Sequence, residues 1–198
     1  MRLFAAAYPP RAAREHLVHA LAEVRALTGT TLRWGDPEQW HVTLGFYGEQ
    51  PEGAVPDLAE HLQEVARGFP PLRVGLHGAG SFSGTTLWIG LGGDTAALAD
   101  LMHGCSLNPE ERSRQRAHLT VARTSRTERT RQAKERRRGS RVRAHSGPEL
   151  AHVVHALSVY EGPEWTLGEI RLVSSVLGEG RSGGALHTDM DRYVLTGA

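Results

Sequence analysis

The spacing of apolar residues switches repeatedly along the chain. Leu3 to Tyr8 is a short apolar run closed by Pro9 and Pro10 and predicts a first strand, after which Leu17, Leu21, Val24 and Leu27 fall at helical spacing up to Gly29. A short strand is expected at Leu32 to Trp34, and a longer one from Trp40 to Tyr47 after the Asp36-Pro37 turn. Val55, Leu58, Leu62 and Val65 mark a second helix that stops at Gly68, with Leu72 to His77 as the next strand. Thr86 to Leu91 begins the order again, and Asp94 can cap a helix whose stripe is Leu98, Leu101, Met102 and Cys105. Ala156 to Tyr160, Glu169 to Leu177 and Arg192 to Thr196 read as strands, with Gly178 to Gly184 as a flexible connection.

Within this pattern one four-residue spelling occurs twice: His41-Val42-Thr43-Leu44 and His118-Leu119-Thr120-Val121. In a strand, positions i and i+2 share a face, so each His projects with its Thr while the apolar pair faces the core. Gly45 and Ala122 would continue the polar faces with small side chains and leave room for a ligand. Each motif also follows a strand and a helix, His41 lying 38 residues after Leu3 and His118 31 after Leu87. That repeat of elements predicts two similar lobes, one motif in each, facing across a cleft. A single such histidine is most simply a satisfied side chain on a half-buried strand; two copies in matched positions point to a site.

The 198 residues are enough for one large domain or two small lobes, burying about 70% of the unfolded surface, so no covalent staple is needed. One cysteine, Cys105, excludes an intramolecular disulfide and fits a reducing, cytoplasmic setting. The opening apolar run is too short for a membrane span and lacks the cleavage region of a signal peptide. With a formal net charge of +1, bulk electrostatics do not announce a nucleic-acid binder, although the stretch from Arg126 to Arg143 is locally basic. That stretch has almost no apolar face, and reads as a solvated segment or as an arm that gathers in an anion. Ser106 to Arg116 is expected to be a surface loop.

Two histidines in one cleft suit a phosphodiester, because imidazole alone titrates unperturbed near neutrality and the pair can hold opposite protonation states. One removes a proton from water, the other protonates the departing oxygen, and the threonine hydroxyls stabilise charge on the non-bridging oxygens. No metal is required. Competing constellations are weaker: H-E-x-x-H is absent, and His152 with His155 lacks a third ligand. There is no P-loop, and Gly75-x-x-Gly78-x-Gly80 is not the dinucleotide fingerprint. His16, His19, His61 and His103 fall on predicted helices and are most simply solvent-facing, while Cys105 is expected to be packed rather than nucleophilic.

The doubled His-x-Thr motif resembles that of a known family. So do the opening Met1-Arg2-Leu3-Phe4-Ala5, the stretch from Trp40 to Gly48, the run from Ala117 to Arg123, and the segment from Trp165 to Leu177. The chain is similar to the 2H phosphoesterase superfamily, and within it to the RNA 2',3'-cyclic phosphodiesterases, also called 2'-5' RNA ligases. The resemblance implies a single bilobal α+β domain over residues 1–198, with two pseudo-symmetric lobes, each of antiparallel sheet and helices, around a cleft. It implies hydrolysis of a 2',3'-cyclic phosphate at RNA ends to a 2'-phosphate, with His41 as proton donor and His118 as proton acceptor. It also implies phosphate binding by Thr43, Thr120 and Arg123. Strict alternation points Arg123 away from Thr120, so that role requires the strand to end or twist there. Ala117 stands where the family usually has Pro.

The expected partners are RNA termini or small cyclic nucleotides, with no membrane, metal or cofactor, and a monomer is expected. The alternatives are action on 2'-5' linkages or another small cyclic diester, the reverse reaction as a ligase, and a non-catalytic RNA-end-binding protein.

Overall fold

The computed structural model describes residues 1–108, 116–125, 127–130 and 150–197. Nine strands form one antiparallel sheet: β1 (Arg2–Ala7), β2 (Leu32–Trp34), β3 (Val42–Glu49), β4 (Leu72–Phe82), β5 (Thr86–Gly93), β6 (His118–Thr124), β7 (Glu161–Leu167), β8 (Glu169–Leu177) and β9 (Ala185–Val194). Their order is β7-β4-β5-β6-β3-β1-β8-β9, with β2 added beside β6. The expected symmetry is plain in this order. Each half is a four-stranded sheet whose innermost strand, β6 or β3, carries one His-x-Thr motif, and the halves join where Val42 pairs Leu119.

The two innermost strand pairs match in detail. Between β1 and β3 the register runs Ala5↔Gly45 and then Ala6↔Thr43, skipping Leu44. Between β5 and β6 it runs Leu87↔Ala122 and then Trp88↔Thr120, skipping Val121. Each inner strand thus carries a β-bulge one residue after its motif threonine, and an extra residue there reverses which face the following side chains occupy. Gly45 is therefore turned into the core, not onto the polar face as strict alternation predicts. A Cβ on it would lie 2.5 Å from the Cys105 carbonyl oxygen, so only glycine lets that helix seat against the strand.

Helices α1 (Arg11–Ala20), α2 (Ala22–Thr28), α3 (Val55–Gly68), α4 (Thr95–Cys105) and α5 (Leu150–Ala156) cover the sheet among the described residues. The apolar stripes bury as periodicity predicts: Leu17 on α1, Leu58 and Leu62 on α3, and Leu98, Leu101, Met102 and Cys105 on α4 are all within the main core. α1 and α5 pack on β7 and β4 of one half, α3 on β8 and β9 of the other, and α4 on both β3 and β4. Burial pushes the Cys105 thiol up to about 12, which suits a packed residue and not a nucleophile.

Several details differ from expectation. The first helix breaks at Leu21 into α1 and α2, which leaves Leu27 69% exposed. Ala156 to Tyr160 is the end of α5 and a turn, because Val153 and Leu157 bury at i, i+4 while Val159 points outward. The strand β7 that follows has an almost wholly polar or exposed pattern and left no periodic signal. Likewise β9 begins at Ala185, well before Arg192, since its outer face is solvated. Asp94 precedes α4 but its carboxylate accepts from the Arg73 backbone N–H at 2.8 Å instead of capping the helix.

The loop expected from Ser106 to Arg116 and the basic run from Arg126 to Arg143 lie largely outside the described residues. Within the run, Thr127 to Thr130 are helical. Among the described residues no helix is long and apolar enough to cross a membrane.

Candidate active site

Because Val42 and Leu119 are buried at 1% and 0% exposure, the residues flanking each of them face the other way, into a shared cleft. In an antiparallel pair centred on Val42 and Leu119, His41 stands beside Thr120 and Thr43 beside His118. The two histidines occupy one diagonal of this four-residue frame, and diagonal positions across such a pair lie about 7–8 Å apart. All four side chains line a cleft of about 470 Å³.

Each imidazole is held in the same way. His41 Nδ1 lies 2.8 Å from the carbonyl oxygen of Gln39, and His118 Nδ1 lies 2.7 Å from that of Arg116. A carbonyl oxygen only accepts, so Nδ1 carries a proton in both rings. Nε2 is then the atom left to exchange a proton with a ligand: an acceptor when the ring is neutral, a donor when it is charged.

The surroundings of the two rings differ. His41 is packed by Phe4, with ring centroids 4.9 Å apart, by His187 at 4.9 Å, and by Tyr8 at 5.8 Å. His118 meets Phe82 at 4.8 Å and Trp88 at 6.1 Å. Burial pushes the His41 imidazole down to about 4, against the raising effect of its bond to Gln39, and the neighbouring His187 and His118 add to the lowering. At neutral pH, with no anion beside it, His41 is therefore uncharged.

The bulge after Thr120 resolves the orientation of Arg123. With Val121 and Ala122 both buried, Arg123 returns to the face of His118 and Thr120 and lines the cleft. The same shift after Thr43 brings Phe46, 45% exposed, to the equivalent place in the other half, where the Arg2 guanidinium stacks 4.9 Å over its ring.

Sequence reasoning missed Phe46 for the parity error that misdirected Arg123. It missed Arg2, Arg33, Gln39, Arg181 and His187 because these reach the cleft from other strands and turns. Arg33 pairs with Arg123 in the register of β2 and β6. Four arginines, Arg2, Arg33, Arg123 and Arg181, and a single carboxylate, Asp36, line the cleft among the described residues. A nearly neutral chain thus gathers positive charge where an anion would sit.

The turn between β8 and β9 closes one side. Rather than a loose connection, it is a knot in which Gly178 and Gly180 N–H both donate to the Gly184 carbonyl. It is tied to the facing half by Arg33 Nη1 to the Gly183 carbonyl at 2.9 Å and by Arg181 to Asp36 at 3.4 Å.

The remaining candidates stand apart from the cleft. His152 and His155 are exposed on α5. His16 and His19 are exposed as expected, His16 meeting the Tyr160 hydroxyl at 3.0 Å, whereas His61 and His103 are half-buried.

A model of the LigT-like phosphoesterase family matches residues 8–88, the part of the chain that carries the first motif. Over 185 residues the chain is 29% identical to the RNA 2',3'-cyclic phosphodiesterase of Archaeoglobus fulgidus, covering 89% of this chain and 92% of the relative. Among solved structures, TT0787 of Thermus thermophilus matches with a TM-score of 0.68 at 25% identity, over 100% of this chain and 99% of its own. LigT of E. coli in its apo form shares the fold with a TM-score of 0.68 at 19% identity, over 98% of this chain and 97% of its own. With the doubled motif and the twofold sheet already in place, these comparisons show a chain that is similar to the LigT-like phosphoesterases, in sequence over the part that carries the first motif and in fold over nearly its whole length.

Proposed function

We propose that this protein hydrolyses the 2',3'-cyclic phosphate at RNA ends, or of small cyclic nucleotides, to a 2'-phosphate. The observation that carries the reading is the frame of His41, Thr43, His118 and Thr120 around one cleft, with both Nδ1 atoms held by backbone carbonyls and both Nε2 atoms left for the ligand.

In this reading His118 Nε2 takes a proton from water as the water oxygen forms its bond to phosphorus. The phosphorus–O3' bond breaks, and His41 Nε2 delivers its proton to the departing 3' oxygen. His41 ends neutral and His118 protonated, and exchange with solvent restores the starting state. Thr43, Thr120 and Arg123 donate hydrogen bonds to the non-bridging oxygens as charge builds on them, which lowers the barrier instead of merely holding the substrate. No step is assigned to a metal.

The low affinity of substrate-free His41 for a proton fits this assignment once the substrate is considered. A phosphodiester anion lodged beside the buried ring favours the imidazolium, so binding loads the acid. Phe46, exposed in the cleft and backed by Arg2, offers a face on which the nucleobase can stack.

The test is incubation with nucleoside 2',3'-cyclic phosphates and with RNA ending in a cyclic phosphate, in the presence of chelator. The expected product is the 2'-phosphate. Absence of turnover between pH 5 and 8, or turnover unchanged in His41→Ala and His118→Ala, removes the reading. Tight, salt-sensitive RNA binding without turnover would instead favour a non-catalytic binder.

A further inference from the structure

We propose that His187, on β9, is a positioning residue of the cleft: it supports the His41 imidazole from the side so that Nε2 stays turned to the ligand. This rests on the reading of His41 as a proton-transfer group. The His187 ring stands edge-on to His41, centroids 4.9 Å apart at 73°, and edge-on to Phe4 at 5.1 Å and 85°. Since Phe4 and His41 are themselves 4.9 Å apart, the three rings form a closed cluster in which His41 cannot rotate without displacing the others.

Gln39 joins the cluster from behind. Its carbonyl oxygen accepts from His41 Nδ1 at 2.8 Å, and its side-chain Oε1 accepts from the His187 backbone N–H at 2.7 Å. One residue thereby sets both the tautomer of His41 and the position of β9 beside it.

The other half of the frame has no such arrangement among the described residues. His118 meets the rings of Phe82 and Trp88, neither of which titrates. His41 has a second imidazole against it, and that imidazole has its Nδ1 buried without a hydrogen-bond partner, a setting hostile to charge. Among the described residues, the other titratable or charged groups around the pair are Arg2 on β1 and Tyr8 just after it, His118 and Arg123 on β6, Arg171 on β8 and Asp189 on β9. Arg171 stacks 4.9 Å over Tyr8 and holds Asp189 at 2.7 Å, so that this carboxylate is already neutralised. A proton on His187 would therefore oppose a proton on His41, and the support works while His187 is neutral.

Two variants of the full chain separate packing from charge. His187→Phe keeps a ring but cannot titrate; His187→Ala removes the support. The readouts are NMR titration of the His41 ring in the absence of substrate, and kcat and KM on a nucleoside 2',3'-cyclic phosphate. His187→Phe is expected to keep kcat within about threefold at pH 7 and to move the His41 titration to higher pH. His187→Ala is expected to lose about tenfold in kcat with KM little changed and to weaken the His41 Nδ1–H signal by exchange.

An unchanged His41 signal and titration in both variants overturns the proposal, whatever the activity. Should His187→Ala not fold, His187→Phe decides alone by the same titration. If the wild-type protein proves unable to hydrolyse cyclic phosphates, the function proposed above fails while the substrate-free titration still judges His187.

Discussion

Val42 and Leu119 are the one residue pair that β3 and β6 share in register among the described residues, and this contact centres the candidate site. Their side chains are sunk in the core, so the histidine and threonine on either side of each must face the cleft, His41 next to Thr120 and His118 next to Thr43. Convergence of two segments 77 residues apart in sequence is thus reduced to a single sheet register.

Under the proposed function, the two histidines that this register brings together act as one acid–base pair. His41→Ala and His118→Ala are each expected to lower kcat by about 10²–10⁴-fold, the range for a lost general acid or base. The rate should follow a bell in pH, and the limb set by His41, which in kcat/KM follows the free ring titrating at about 4, should lie higher in kcat because bound anion favours its protonation. Limbs that lie at the same pH in kcat and in kcat/KM would show that His41 does not take part.

Arg123 is directed into the cleft by the bulge at Val121, beside Arg33 of the neighbouring strand. Arg123→Ala is expected to cost about 10²-fold in kcat/KM, as for loss of one oxyanion donor. Arg123→Lys should recover only part, since an ammonium cannot reproduce the two-pronged geometry of a guanidinium. Steady-state kinetics on a cyclic nucleotide decides both.

Phe46 occupies the place in the first half that Arg123 holds in the second. If it stacks the nucleobase, Phe46→Ala raises KM for nucleoside 2',3'-cyclic phosphates by about tenfold, within the usual worth of one base stacked on an aromatic ring. The same variant should leave KM unchanged for a cyclic phosphate diester that has no base.

Gly45 is sealed against the backbone of Cys105 at the end of α4. Gly45→Ala forces strand and helix apart and is expected to cost about 1–3 kcal/mol, lowering Tm by roughly 5 °C. Gly53, where an added Cβ would meet nothing within 4 Å, serves as the control, and Gly53→Ala should leave Tm unchanged or slightly raised in the same melting experiment.

Acid should weaken the fold through His41. An unfolded imidazole titrates near about 6.5, whereas burial holds the folded one down to about 4. Between those values the unfolded chain binds more protons, so this contribution to stability is present in full above about 6.5 and is lost as pH falls toward 4. Denaturant unfolding across that window should show a smaller loss in His41→Phe. Added inorganic phosphate should restore wild-type stability at low pH by favouring the charged ring inside the cleft.

Periodicity and local chemistry were sufficient for much of this molecule. Leu17, Leu58, Leu62, Leu98 and Leu101 fall at helical spacing and are buried on helices, and His41 and Thr43 alternate with Val42 and Leu44 as residues of a half-buried strand do, because these patterns depend only on neighbours a turn or two residues away. The doubled His-x-Thr spelling likewise identified which side chains to watch. What the linear order could not contain is set by contacts between distant segments. The bulges after Thr43 and Thr120 arise from how β3 lies against β1 and β6 against β5, and they decide that Phe46 and Arg123, rather than Gly45, face the cleft. β9 is solvated on its outer face and so carried no periodic mark, yet pairing with β8 sets His187 against His41. Alternation is a property of one strand. Register belongs to two, and in this protein it is register that assembles the site.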